Sequence, residues 1–354
     1  MFIINYKYSD GFDKGWEMES VNFSHMNLCV GISGAGKTKI LNTIYNLFFV
    51  SFNGALNDNG HWTVTFKISN SEDIYFWDLK VVNKSISYEC LKKNDETIID
   101  RNETDFIYNN NKLPQLDKSQ SALKLLKDEE VFIRITKDFK NVVRRNFYDG
   151  ELENQSSIVI FEENQFIQDP NLDLTELNNK NYVFPMIIRL SILANKSPDK
   201  WQLVQNTFLS LFPKFSRIFF SISPQSNNQK QIFVTENNED IILNELSSGE
   251  KKALLIISDI ITLPKNSIYL IDEIENSLGS NILDSLIEFI DDYKEDIQFI
   301  ITSHHPYIIN HIPYNEWKIV KREGKKVMIK DGKDLSDSFK LSKHDAFTKL
   351  NNMV

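Results

Sequence analysis

Residues 27–42 read NLCVGISGAGKTKILN. An apolar run ending at Val30 gives way to Gly31, Gly34 and Gly36, and then to Lys37 and Thr38. Apolar residues resume at Ile40, Leu41, Ile44, Tyr45 and Phe48, which fall on one helical face. The order is therefore strand, glycine-rich turn, helix, with backbone freedom placed directly before one positive charge. Gly31, Gly36, Lys37 and Thr38 satisfy G-x-x-x-x-G-K-[ST] without a mismatch. Glycines let successive N–H groups turn inward on an anion, and the helix start adds the positive end of its dipole. On this reading Gly31, Ser33, Gly34, Gly36, Lys37 and Thr38 form a phosphate cradle. Lys37 supplies charge for the β- and γ-phosphates, and the Thr38 hydroxyl is placed for Mg2+. An ordinary glycine-rich turn is the alternative, and the strand before and amphipathic helix after it favour the cradle.

Downstream, SIYLIDE (267–273) puts Ile268, Tyr269, Leu270 and Ile271 before Asp272 and Glu273. A buried parallel strand ending in two carboxylates sets the first near Mg2+ and the second near water, as a general base. Earlier stands LSSGEKKALLIISDI (246–260), where Ser247 and Gly249 open a helix that offers a second anion site. Ser247 with Glu250 also reads as a capping box, which taken alone is the stronger reading. Its place before the acidic pair favours the anion site. Finally, FIITSHHP (299–306) delivers His304 at a strand end, 304 − 273 = 31 residues past Glu273.

These four motifs, in this order, resemble those of the ABC-type ATPases. The SMC/RecF-like branch, which includes OLD-family and Septu-type defence ATPases, is the nearest in form. LSSGE is similar to the LSGGQ signature, and TSHHP to the family's T-x-H-x-P, which gives His304 the role of the switch histidine and leaves His305 a bystander. MNLCVGISGAGKTKIL and YECLKKNDETIIDR are similar to that branch as well. The resemblance implies a P-loop NTPase that binds ATP and Mg2+ and hydrolyses ATP slowly without activation. It also implies a homodimer or higher homo-oligomer in which two nucleotides lie head to tail between two heads, so that Ser247 and Gly249 act in trans. IENSLGSN occupies the D-loop position, with Asn276 and Ser277 facing the partner subunit. Three departures stand out. No Q-loop glutamine can be placed, Gln115 and Gln120 being candidates without context; Gly279 stands where LHP often follows; and long coiled-coil arms are absent, so bridging of DNA is not expected.

Around these motifs the chain reads as an α/β protein: an ABC-type head with a mixed/parallel sheet, an N-terminal antiparallel β meander and a helical insertion. Residues 1–30 alternate as two or three strands, and 62–91 read as the meander. Residues 95–180 are rich in Asn, Asp and Lys, with helices expected around SQSALKLLKD and VFIRITKDFKNVVRR. From Phe184 two helices and two strands are expected, and after Ser247 helix and strand alternate, which predicts βαβ units and a mostly parallel sheet there. The expected division is an N-terminal lobe over 1–104, an insertion over 105–183 and a C-terminal lobe over 184–354.

The 354 residues are 41% hydrophobic and 25% charged, as in a soluble globular protein. No apolar stretch approaches the ~20 residues of a membrane span, and no secretory leader is legible at the N-terminus. Cys29 and Cys90, the two cysteines, are far apart, which fits a reducing cytoplasm. A net charge of −9 argues against a surface built uniformly for nucleic acid. Two basic clusters leave DNA possible as a partner: Lys137, Lys140, Arg144 and Arg145 on an expected helix, and Lys321, Arg322, Lys325 and Lys326 in a hairpin. The chain carries no legible nuclease or zinc constellation. The expected function is thus an ATP-driven sensor or regulator of a bacterial antiphage defence system, controlling a separately encoded nuclease or toxin. A RecF-like DNA repair clamp is the alternative, and a transporter subunit the weakest reading.

Overall fold

The computed structural model describes residues 1–11, 15–53, 59–145, 147, 186–223 and 229–335. Residues 148–185, which take in the second part of the expected insertion, lie outside the described residues. Two compact units interleave along the chain. One comprises Met1–Arg145, Lys265–Ile274 and Lys294–Val354; the other comprises Asn146–Pro264 and Glu275–Tyr293.

The chain begins with β1 (Phe2–Ser9), β2 (Glu17–Met18), β3 (Val21–Asn22) and β4 (Met26–Val30), followed by α1 (Lys37–Asn53). An antiparallel run follows: β5 (Gly60–Lys67), β6 (Ile74–Val82), β7 (Ser85–Lys93), β8 (Glu96–Arg101), β9 (Phe106–Tyr108) and β10 (Asn111–Leu113). Then come α2 (Ala122–Leu125), α3 (Glu130–Phe139) and β11 (Val142–Arg145). The second unit supplies α4 (Met186–Lys196), α5 (Pro198–Leu211), β12 (Phe215–Ser223), β13 (Gln229–Glu236), β14 (Glu239–Ile242) and α6 (Ser248–Thr262). The chain continues through β15 (Ser267–Ile271), α7 (Ser280–Asp292) and β16 (Ile297–Ser303), and then α8 (Pro306–His311), β17 (Trp317–Glu323) and β18 (Lys326–Asp331). Of these, α7 belongs to the second unit and the others to the first. No helix among the described residues is long and apolar enough to cross a membrane.

In the first unit, fifteen described strands share one mixed sheet, ordered β10-β9-β8-β7-β6-β5-β1-β2-β18-β17-β4-β16-β15-β11, with β3 against β1. From β17 to β11 neighbours run parallel. Every residue of β4, β15 and β16 is buried, as the continuous apolar runs predicted for strands covered on both faces. The meander instead alternates: Trp62, Val64 and Phe66 on β5 and Tyr75, Trp77, Leu79 and Val81 on β6 are buried, with half-exposed or exposed residues between. It extends to Leu113, well past residue 91, and residues 1–30 form four strands, two of them only two residues long. On α1, Ile40, Leu41, Ile44 and Phe48 are buried as the periodicity requires.

One expected element is different. The helix expected over 131–145 stops at Phe139, and Val142–Arg145 is a strand. The reason is tertiary: β15 has an open edge, and the β-branched Val142 and Val143 are buried there, in register with Ile268 and Tyr269. Lys137 and Lys140 therefore do not share a helical face with Arg144 and Arg145, and Arg145 is buried.

In the second unit β12, β13 and β14 form a separate antiparallel sheet. Phe208 of α5 stacks on Phe215 at 5.8 Å. Between α4 and α6 the buried Arg189 guanidinium donates to the Asp259 carboxylate.

Candidate nucleotide site

In the parallel sheet, Val30 lies beside Ser303 and Ile301 beside Ile271, so the C-terminal ends of β4, β16 and β15 are adjacent. Crevices outside such ends are where open α/β sheets bind ligands. The turn 31–36, the acidic pair and His304 all leave the sheet there.

The three glycines of the turn serve different needs. Gly34 and Gly36 have φ of +81° and +104°, which a side chain rarely tolerates. At Gly31 the need is space: a Cβ would lie 2.3 Å from the Val320 carbonyl oxygen on β17. Lys37, at the start of α1, is buried, and its Nζ donates to the Gly31 carbonyl at 2.8 Å and the Ile32 carbonyl at 3.1 Å. The loop thus curls around its own ammonium.

Thr38 Oγ1 donates to Asp272 Oδ1 at 3.1 Å, joining the start of α1 to the end of β15. Thr302 Oγ1 donates to the same oxygen at 2.6 Å and accepts the Glu273 backbone N–H at 2.8 Å. Glu273 adopts φ of +45°. His304 is exposed, whereas His305 is used locally: its Nδ1 accepts the Tyr307 N–H at 3.3 Å as the cap of α8. Ser303 Oγ accepts the His305 N–H at 3.0 Å and fixes the turn between them.

A cleft of about 820 Å³ opens here, lined by Ser33, Gly34, Gly36, Lys37, Thr38, Glu273 and His304 among others. Gly31 and Asp272 are not part of its lining, and Asp272 reaches it through Thr38. The cleft continues past Tyr8, Asp10, Lys39 and Asn42, which sequence reasoning missed. Lys39 Nζ pairs with Asp10 at 2.7 Å and lies 5.1 Å from the Trp16 ring centroid. Partial burial raises the Asp10 carboxyl. Hydrogen bonds from Lys39, the Trp16 amide and Tyr8 outweigh it, so the group titrates below its ordinary range. A separation of 29 residues left no pattern by which to find this pair.

Ser247 and Gly249 belong to the second unit. The capping box forms: Ser247 Oγ accepts the Glu250 N–H at 3.3 Å, and Glu250 Oε2 accepts the Ser247 N–H at 2.8 Å. The Ser247 hydroxyl proton is not consumed by that bond. A Cβ on Gly249 would lie 2.2 Å from the Ser277 carbonyl oxygen, and Lys252 Nζ donates to the Asn276 carbonyl at 3.1 Å, so the turn at 247–249 and residues 276–277 are packed together. Neither Gln115 nor Gln120 lines the cleft. The Gln120 carbonyl, between β10 and α2, accepts a hydrogen bond from the buried Arg101 of β8 at 2.9 Å.

The donor set suits Mg2+. Among the described residues no cluster of three His, Cys, Asp or Glu side chains is arranged to hold a metal. One carboxylate, Asp272, beside one hydroxyl, Thr38, matches a cation that takes few protein oxygens and completes its shell with phosphate and water.

The chain is similar to known proteins in sequence and in fold. The chain is 24% identical over 316 residues to an ATP/GTP phosphatase of Helicobacter pylori, covering 80% of each protein. It is 29% identical over 121 residues to the "Retron Ec83 probable ATPase" of Escherichia coli; that match covers 31% of this chain and spans only 21% of the retron protein's length. Among solved structures, the chain is similar to an Smc head bound to the C-winged helix domain of ScpA, with TM-score 0.54, 15% identity and coverage of 96% and 100% of the two chains. It is also similar to the Pyrococcus furiosus Smc head with an extended coiled coil, bound to the C-terminal domain of ScpA, with TM-score 0.52, 14% identity and 99% coverage of each. These last two likenesses concern the fold, a P-loop NTPase head of the SMC type. Residues 26–310 match the model of the family described as "AAA domain, putative AbiEii toxin, Type IV TA system", and the chain belongs to that family.

Proposed function

We propose that the chain binds ATP with Mg2+ and hydrolyses it to ADP and phosphate, and that this cycle opens and closes a homodimer that controls a separately encoded nuclease or toxin. One observation carries the reading: Thr38, Asp272, Glu273 and Thr302 are hydrogen-bonded into one group beside Lys37, at the ends of adjacent parallel strands. The nucleotide hydrolysis in the name of the H. pylori relative and the ATPase in that of the retron relative support it.

In this mechanism Lys37 exchanges its two loop carbonyls for the β- and γ-phosphate oxygens. Thr38 and Asp272 would hold Mg2+, which when bound would supply charge neutralisation for the triphosphate. Glu273 accepts the proton of the attacking water, and His304 at the cleft wall hydrogen-bonds the γ-phosphate. Ser247 and Gly249 of a second copy close over the triphosphate, the Ser247 hydroxyl donating to it. ATP then favours the closed dimer, and hydrolysis removes the bridge, a two-state switch with the nucleotide as its ligand.

The test is Glu273→Gln in the full chain. It is expected to bind ATP with near-normal affinity, accumulate as a dimer by light scattering and lose turnover by about 100-fold or more, the scale of a positioned general base. Hydrolysis at the wild-type rate would refute the assignment. A second reading, DNA contact, is favoured by the β17–β18 hairpin, where Arg322, Lys325 and Lys326 are exposed. It predicts DNA-stimulated hydrolysis that weakens steeply with salt.

A further inference from the structure

We propose that Thr302, two positions before His304, is the positioning residue of the hydrolytic centre, orienting the cation ligand and the general base with a single hydroxyl. The proposal rests on the hydrolytic reading above for the roles of Asp272 and Glu273, but its geometry stands apart from it.

Thr302 is fully buried in a strand whose other residues are mostly apolar. A hydroxyl has one proton to give and lone pairs to accept with. Here the proton goes to Asp272 Oδ1 at 2.6 Å, a short charge-assisted bond, and a lone pair takes the Glu273 N–H at 2.8 Å. Pairing between β15 and β16 ends at Ile271 and Ile301, so beyond that point the ladder no longer holds the chain. Thr302 takes over: its side chain binds Glu273 and its carbonyl accepts the Ile274 N–H at 3.2 Å. Between these two anchors Glu273 is held at φ of +45°, a left-handed conformation that a residue with a Cβ adopts only when its surroundings impose it. Released, Glu273 would relax toward an ordinary backbone and leave the cleft wall. The second hydroxyl on Asp272 Oδ1, from Thr38, comes from the phosphate loop itself. The carboxylate is therefore aimed from both sides, once by the cradle and once by β16.

A filler role would need only the shape of threonine, which valine shares. A positioning role needs the hydroxyl, which serine keeps. The experiment compares wild type, Thr302→Val and Thr302→Ser as full chains. It reads the Mg2+ dependence of adenylyl imidodiphosphate binding, kcat and KM for ATP, and hydrogen exchange at the Glu273 amide without nucleotide. Thr302→Val is expected to weaken Mg2+ binding and lower kcat by about 10- to 100-fold, as loss of an orienting partner does. Analogue binding in EDTA should be unchanged, and the Glu273 amide should exchange faster. Thr302→Ser should stay near wild type in all three. Wild-type Mg2+ dependence and amide protection in Thr302→Val would overturn the proposal, and so would equal losses in the valine and serine variants. Should valine prevent folding, Thr302→Ala carries the same comparison. A wild-type chain that binds Mg2+ and the analogue but hydrolyses nothing would remove the hydrolytic reading, while the metal titration and amide exchange still judge Thr302.

Discussion

Replacing Gly31 by alanine isolates what the first glycine of the phosphate loop does. A Cβ there would lie 2.3 Å from the Val320 carbonyl oxygen, whereas ordinary contact begins at 3.4 Å, so the two backbones would have to part by 3.4 − 2.3 = 1.1 Å. Neither side yields easily. β17 is paired to β4 next to the contact, Ile319 against Val30, and to β18 across it, Val320 against Ile329. The clash is with backbone rather than the end of a flexible side chain, which puts the cost at the upper end of overpacking, about 3 kcal/mol. Gly34→Ala is the control. Nothing lies within 4 Å of its Cβ, and only φ of +81° opposes the change, worth about 1–2 kcal/mol. Urea unfolding followed by tryptophan fluorescence measures both, because four of the five tryptophans, Trp16, Trp62, Trp77 and Trp317, belong to the first unit. Gly31→Ala should therefore be the more destabilised of the two. A Gly31→Ala chain within about 0.5 kcal/mol of wild type, the usual scatter of harmless substitutions, would show that β17 does not confine the loop.

Two further outcomes follow from buried groups. Burial raises the Glu89 carboxyl above its ordinary value of 4.5, against the pull of the Ser121 hydroxyl, the Ala122 amide and Arg101. A carboxyl raised in the folded chain adds stability at low pH that is lost as pH rises through the raised value. Arg101→Met removes the buried cation 3.5 Å away and should cost about 3–5 kcal/mol where the carboxyl is ionised and less at low pH, where it is protonated; a cost independent of pH in urea titrations would count against this pairing. Burial also pushes the Cys29 thiol up to about 12, although Lys318 and Lys37 pull it down. Cys29 and Cys90 are both buried, so a disulfide reagent at pH 8 should label neither in the native chain and both in urea; rapid native labelling would contradict the packing of β4 at Cys29 or of β7 at Cys90.

Much of the site was legible because its chemistry is local. The cradle needs glycines, a lysine and a threonine within eight positions, and an acid pair at the end of an apolar strand marks itself by contrast. The strand and helix periods around them were equally readable, since each depends on neighbours a few residues apart. Where reading failed, the deciding partner was distant. A helix over 131–145 satisfied the local pattern until the open edge of β15 claimed Val142 and Val143. Thr302 is legible in the sequence only as the threonine of TSHHP, without a role of its own; folding sets it against Asp272 and Glu273, some thirty positions earlier in the chain.

The amino-acid order by itself determined the phosphate loop, the acidic pair and the succession of strands and helices, because those follow from backbone conformations and side-chain types that are adjacent in the chain. Tertiary structure alone decided how that labour is divided: Gly31 yields room to β17 while Gly34 and Gly36 supply positive φ, Lys39 is drawn to Asp10, and one threonine hydroxyl joins two carboxylate-bearing residues. Such assignments depend on which atoms meet after parallel strands from separate parts of the chain are laid side by side, and distances across a sheet are not written in the spacing along a strand.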